Sequence, residues 1–346
     1  MASRKRGRSE FEGGEEEEDF DAQLRKEYTQ KVLQQQKLIL VLDLDHTLLN
    51  SASFSKVDEE ERLYLEKIYD WQEKAPKRRK LLHKVESLQV WTKIRPFAFK
   101  FLEEASKFFD LHIYTNGREI YAETMAKLLD PTGSLFKGHI FSRDHNCMKA
   151  MKDLDTVPGD ESITLIVDDS DCVWPKKHHK NLIPVYDRYL FFRSSTGLFG
   201  LRESSSLTSK KKDEVATKAT LAKLLEGLKR IHSEFFQESG CFAGDVRQTM
   251  REVKGHALSG CKIVICAKSQ AAHELLWDSC QELGAECVVD IDDTVTHVVV
   301  ASKQQPQGLE LSAQAGKYLV WPSWIHTAHY RCCRPDEAAF LWRKLE

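Results

Sequence analysis

The chain has 346 residues, 41% of them hydrophobic, enough for about two ordinary domains on the usual size of roughly 150 residues each. With 51 Lys and Arg against 53 Asp and Glu, the formal charge is -2, which excludes a global electrostatic case for nucleic-acid or membrane binding. Nine cysteines occur without a C-x-x-C pair, a signal peptide or a long apolar run. A reducing compartment is therefore expected, and no structural zinc on Cys147, Cys172 or Cys241, which lack histidine at ligand spacing.

Residues 1–22 open on the basic cluster Arg4-Lys5-Arg6-Gly7-Arg8 and continue into the acidic run Glu15–Asp19. Such a segment has too little apolar surface for a core and is expected to be a disordered charged tail, its basic cluster doubling as a nuclear import signal or a solvated end. A charged helix is expected from Gln23 to Gln36. Leu38-Ile-Leu-Val-Leu42 follows, an apolar run without a 3.6 period, as in a central parallel strand covered on both faces. It delivers Asp43 and Asp45, with Thr47 just beyond, to the carboxyl end of the strand, where ligands of such sheets bind.

Residues 51–90 read as an insertion, with Leu63, Ile68 and Trp71 on one helix face and Lys77-Arg78-Arg79-Lys80 as a charged surface. Strand and helix then alternate: a helix from Phe97 to Phe109, a strand over Asp110–Tyr114, a helix from Glu119 to Leu129, and strands at 138–142 and 163–167. That alternation predicts an α/β fold with a parallel sheet. Residues 194–250 read as a linker plus a bridging helix from about Asp213 to Phe236. Residues 251–346 form a second, smaller α/β unit, with strands near 261–266, 286–289 and 296–300, a helix from Gln270 to Leu283, and a final helix after Val320.

Four stations fall at predicted strand ends: Asp43/Asp45/Thr47, Thr115/Asn116, Lys152 and Asp168/Asp169. Each residue type suits phosphoryl transfer. Asp43 can attack phosphorus as a carboxylate nucleophile. Asp45 can protonate the leaving oxygen and then deprotonate water. Thr115 and Lys152 can hold the non-bridging oxygens. Asp43 and Asp169 form an oxygen-only set suited to Mg²⁺, and Asp168 can orient Lys152. Paired acids capping an apolar strand are costly without such a partner.

D-L-D-H-T-L-L-N, Y-T-N-G-x-x-x-Y-A, K-D-L and V-D-D-S-D-x-V-W-P resemble the motifs of the haloacid dehalogenase superfamily. The closer similarity is to FCP-type phosphatases acting on the C-terminal domain (CTD) of RNA polymerase II, and it runs from about Lys37 to Phe192. The resemblance implies a Rossmann-like parallel sheet over 23–193, catalytic Asp43 and Asp45, and phosphate-binding Thr115 and Lys152. It also implies Mg²⁺ held by Asp43, Asp45 and Asp169, with Asp168 and Thr47 supporting them. Lys149 competes with Lys152, but the K-D-L match and the spacing to Asp168 favour Lys152. His46 and Asn116 depart from the family's usual residues. Arg118 is a candidate substrate contact, one residue off the usual place.

Ala257-Leu-Ser-Gly-Cys-Lys-Ile-Val, Thr296–Val300 and Trp321-Pro-Ser-Trp324-Ile resemble a BRCT domain, in which Trp324 is expected in the core. Cys266-Ala267 stands where phosphopeptide-binding relatives carry Ser or Thr and then Gly, so a docking surface for polymerase or transcription factors is expected. The resemblance implies a nuclear serine/threonine phosphatase whose partner is the phosphorylated CTD, with neither direct nucleic-acid nor membrane binding. The alternative is a recruitment protein with weak activity, or activity on a small phosphorylated metabolite.

Overall fold

The structure is a computed structural model that describes residues 12–75, 79–144, 151–237, 244–302 and 316–342, with backbone alone for 12–20. Cys147, Lys149, Cys241, Lys77, Arg78 and the basic cluster at 4–8 lie outside the described residues.

In chain order the first half contains α1 (Glu12–Gln34), β1 (Leu38–Leu42), β2 (Leu49–Ser53), α2 (Glu59–Glu73), β3 (Leu82–Val85), β4 (Val90–Ile94), α3 (Ala98–Ala105) and β5 (Phe109–Tyr114). Then come α4 (Glu119–Leu129), β6 (Ile140–Phe141), β7 (Thr164–Asp168) and β8 (Leu182–Pro184). Helix α1 corrects the expected tail: the acidic run is helical from Glu12. Glutamate is a good helix former, and negative charge near a helix N-terminus is favoured by the macrodipole.

Five strands form one parallel sheet in the order β6-β5-β1-β7-β8. Every residue of β1 is fully buried, as its unbroken apolar run requires of a strand covered on both faces. Each such aliphatic side chain contributes about 1.5–3 kcal/mol of transfer free energy. Because all five strands run the same way, the carboxyl ends of β5, β1 and β7 meet along one edge of the sheet.

The 51–90 insertion is not the helical excursion expected. Strands β2, β4 and β3 form an antiparallel sheet of their own, in that order, and α2 lies against it. The buried face of α2 carries Glu61 and Leu65, with Ile68 packed beside them, whereas Leu63 and Trp71 point to solvent. Glu61 is buried because its Oε1 accepts from the Arg193 amide at 2.9 Å and from Thr208 Oγ1 at 2.5 Å.

Residues 194–237 and 244–250, from the segment expected to be a linker plus a bridging helix, form an integral layer. After the short α5 (Arg193–Thr196), α6 (Thr220–Gln237) places Leu221, Leu224, Leu225, Leu228, Ile231 and Phe235 in the same apolar cluster as β1, and α7 (Val246–Gly255) adds Val246 and Met250. These leucines recur at three- and four-residue intervals, the stripe of a helix buried on one side. Ahead of α6, Asp213 and Glu214 pair with Lys93 at 2.6 Å and Arg95 at 2.7 Å, so two buried cations are neutralised from this segment.

The C-terminal unit contains β9 (Lys262–Cys266), α8 (Gln270–Glu282), β10 (Glu286–Val288), β11 (His297–Val300), β12 (Tyr318–Val320) and α9 (Ser323–Arg331). Its parallel sheet runs β10-β9-β11-β12. This is the small α/β unit expected. Trp324 is fully buried, stacks on His297 with ring centroids 4.6 Å apart, and donates from Nε1 to the Pro335 carbonyl at 3.1 Å. Helix α9 also lies against α6, and Tyr330 donates to Asp187 at 2.8 Å, joining this unit to the first. No helix among the described residues is long and apolar enough to cross a membrane.

Candidate active site

Asp43 leaves β1 with its amide donating to the Val167 carbonyl of β7 at 3.0 Å, so the sheet ladder itself sets where its carboxylate emerges. Asp168 ends β7, and between them lies Lys152, from a distant loop: its Nζ is 2.7 Å from Asp43 Oδ1 and 2.6 Å from Asp168 Oδ2. The Lys152 side chain is essentially buried, yet its two partners hold it charged against the cost of burial and raise its pKa. Asp168 is fixed in turn by Trp174 Nε1 at 2.9 Å and the Ser170 amide at 2.9 Å, so both its oxygens are engaged.

Asp45 lies apart from this group. Its Oδ1 accepts a 2.6 Å hydrogen bond from Tyr121, whose hydroxyl also contacts Ser51 Oγ at 2.8 Å. Burial pushes the Asp45 carboxyl above its usual range, opposed by the Tyr121 hydrogen bond. Burial and the neighbouring Asp45 push the Tyr121 phenol well up, so it stays protonated and donates. Thr115 directly follows β5 on the same edge, its Oγ1 accepting from the Gly117 amide at 3.0 Å. Asp43, Asp45, Thr115, Lys152, Asp168 and Asp169 all line one cavity of about 450 Å³.

The carboxylates of Asp43, Asp168 and Asp169 are buried, with one oxygen of each within 4.8 Å of the others. Burial raises the Asp43 pKa well above its usual range against the pull of Lys152, and burial with the like charge of Asp168 raises Asp169. Three buried carboxylates share Lys152 and Arg188, which binds Asp169 Oδ2 at 2.6 Å. This excess of oxygen-borne negative charge fits a hard divalent cation. Asp45, expected to help hold the metal, is not part of this carboxylate group, and its Oδ1 is engaged by Tyr121.

Arg118 precedes α4, is exposed, and does not line the cavity. Thr47 is buried below the site: its carbonyl accepts from Arg95 Nη1 at 3.1 Å, and its Oγ1 has no hydrogen-bond partner among the described residues. His46 takes the left-handed backbone (φ 65°) that turns the chain between Asp45 and Thr47. Its amide donates to the Leu49 carbonyl at 2.7 Å, its carbonyl accepts from the Tyr189 amide at 2.7 Å, and its ring meets Phe199 edge-on at 5.0 Å. The side chain is wedged in place, and burial lowers its pKa.

Sequence reasoning missed Arg188, and quoted Tyr121 and Trp174 within motifs without giving them work. It also passed over Asn50, whose Oδ1 accepts from the Phe191 and Phe192 amides at 2.9 and 3.1 Å and so fixes the chain leading to Ser194 and Ser195 on the cavity wall. A polar residue closing an apolar L-L-N run was the available signal for Asn50. Arg188 carried none, because its partner lies on another strand end.

The family described as NLI interacting factor-like phosphatase matches residues 38–215. RNA polymerase II C-terminal domain phosphatase-like 4 of Arabidopsis thaliana is 38% identical, the match covering 95% of this chain and 75% of that protein. Phosphatase-like 3 of the same plant is 39% identical over 90% of this chain but only 26% of its own length. Among solved structures, that of Fcp1, an essential RNA polymerase II CTD phosphatase, superposes on 92% of this chain and 99% of its own with a TM-score of 0.64. At 24% identity, that likeness speaks to the fold.

Proposed function

Since the chain belongs to the NLI interacting factor-like phosphatase family, we propose that it is a metal-dependent protein phosphatase that removes phosphate from serine or threonine in the CTD of RNA polymerase II, and that it works in the nucleus. The observation that carries this reading is Lys152 bridging Asp43 and Asp168 in a cavity that also holds Asp45 and Thr115.

Asp43 attacks phosphorus, the bond to the substrate oxygen breaks, and Asp45 gives that oxygen its proton. Burial favours the protonated Asp45 that this step requires. Water then attacks the aspartyl-phosphate while Asp45 takes up its proton, releasing phosphate and restoring the Asp43 carboxylate. Lys152 and Thr115 hold the non-bridging oxygens through both steps. Asp43 and Asp169 would hold a divalent cation, proposed as Mg²⁺, which would offset the repulsion between carboxylate and phosphate; the buried group of Asp43, Asp168 and Asp169 supports this reading. The BRCT-like unit is proposed as the docking surface for polymerase or transcription factors.

Asp43→Asn tests this reading with singly phosphorylated CTD heptad peptides and a generic aryl phosphate, each with and without Mg²⁺. Loss of turnover with an unchanged circular dichroism spectrum is expected. Retained hydrolysis would remove Asp43 as nucleophile. Metal-dependent turnover of the aryl phosphate with none of the peptides would favour a small phosphorylated metabolite.

A further inference from the structure

A second convergent cluster, which the reaction does not use, lies toward the amino-terminal end of β5. Asp110 and His112 stand at alternate positions of that strand and share a face. His139 precedes β6, the strand beside it, and Tyr28 reaches in from α1. Asp110 and His112 are buried, while His139 is a quarter exposed and opens the cluster to solvent.

One ligand atom from each of Asp110, His112 and His139 lies within 4.8 Å of the others. His112 Nε2 is 3.2 Å from Asp110 Oδ2, and His139 Nδ1 is 3.8 Å from the same oxygen. The Tyr28 hydroxyl hydrogen-bonds Asp110 Oδ2 directly, lies 3.2 Å from His112 Nε2 and stands 3.4 Å from both ring nitrogens of His139. Ligands of a tetrahedral ion with bonds of about 2.0–2.1 Å stand about 3.3–3.4 Å apart. The His112–Asp110 and His139–Asp110 separations bracket that spacing. The other carboxylate oxygen of Asp110 is 3.3 Å from Lys137 Nζ, the outer contact that orients a monodentate ligand.

Nδ1 of His112 has no hydrogen-bond partner among the described residues, so a ligand on Nε2 leaves that nitrogen no worse placed than a hydrogen bond there does.

We propose that Asp110, His112 and His139 form a site for a borderline divalent metal ion of the zinc type, with the Tyr28 hydroxyl as an outer contact on the Asp110 carboxylate. Its effect is structural: it ties α1 to the β5 and β6 side of the sheet, away from Asp43. Neutral imidazoles with a single carboxylate select such an ion over Mg²⁺, which suits the all-oxygen site instead.

The test is a calorimetric titration of Zn²⁺ into the full chain, stripped of metal by a chelator and held in excess Mg²⁺. One Zn²⁺ per chain is expected, with affinity at least about tenfold weaker in His139→Ala and aryl phosphatase activity unchanged. Zn²⁺ raises the melting temperature of the wild type and not of the variant. X-ray absorption on the wild-type Zn²⁺ form, which needs no variant to fold, is expected to give two imidazole nitrogens and no sulfur. No Zn²⁺ uptake in excess Mg²⁺, equal affinity in His139→Ala, or sulfur or all-oxygen ligation would each overturn the proposal.

Discussion

The Tyr121 hydroxyl donates a 2.6 Å hydrogen bond to Oδ1 of Asp45, linking the fourth helix of the chain to the loop after the first strand. Asp43 bonds Lys152 while Asp45 bonds Tyr121, so the two aspartates of one short motif have different surroundings. Tyr121 is a positioning residue for the proton donor. Tyr121→Phe is expected to lower kcat about tenfold to a hundredfold, the worth of a hydrogen bond of about 1.5–3 kcal/mol to a charged group, with KM little changed. Steady-state kinetics on an aryl phosphate and its pH profile provide the check; a fall in kcat without any change in the pH profile would mean that Tyr121 acts only through packing.

Lys152 separates two buried carboxylates, so Lys152→Met leaves Asp43 and Asp168 facing each other without a cation. Breaking a buried pair in this way costs about 3–5 kcal/mol. A fall in melting temperature that is larger at pH 8 than at pH 5 is expected, because burial raises the Asp43 carboxyl and its protonation relieves the repulsion at the lower pH. Turnover is expected to be lost at both.

Gly227 lies where α6 meets α9. A Cβ added there would come 2.1 Å from the Tyr330 carbonyl oxygen, which is backbone and cannot rotate away. Gly227→Ala is expected to destabilise the chain by about 1–3 kcal/mol, the usual cost of overpacking, in urea unfolding. Its effect on aryl phosphate turnover at low temperature should be small, since Gly227 is remote from Asp43.

His329 and Glu282 contact each other at 3.2 Å, with Lys254 3.4 Å from the imidazole. Burial, with the positive charge of Lys254, pushes His329 down from 6.5 to about 4. The folded state thus disfavours the charged imidazole. The associated stability is fully present above pH 6.5 and is lost as pH falls toward 4. Glu282, which burial alone would raise, is held near 2 by His329 and Lys254, so its contribution is lost between about 4.5 and 2. Melting temperature is expected to fall through both windows. In His329→Gln the upper window should flatten, and an unchanged slope between pH 6.5 and 4 would count against this assignment.

Much of the site was legible because phosphoryl chemistry needs particular residue types at strand ends, and apolar runs announce strands. Asp43, Thr115, Asp168 and Asp169 line one cavity because parallel strands of one sheet end on one edge, and Lys152, expected at a strand end, joins them from a loop instead. The 51–90 segment was misjudged because its two short strands are half-polar and pair only with β4, a partner no local pattern names. The helix of residues 220–237 looked like a bridge because its leucine stripe does not say which surface it covers.

By itself the sequence determined the α/β alternation, the small C-terminal α/β unit, the buried first strand and the residue types at its tip. These follow from local periodicity and side-chain chemistry, which a chain carries without being folded. Only the tertiary structure decided that Tyr121 engages Asp45, that Arg188 caps Asp169, that His46 is a wedged turn residue, and that Asp110, His112, His139 and Tyr28 converge. Each of those depends on atoms far apart in the chain being brought within a few ångströms, and such proximity is set by sheet order and helix packing, which no single segment encodes.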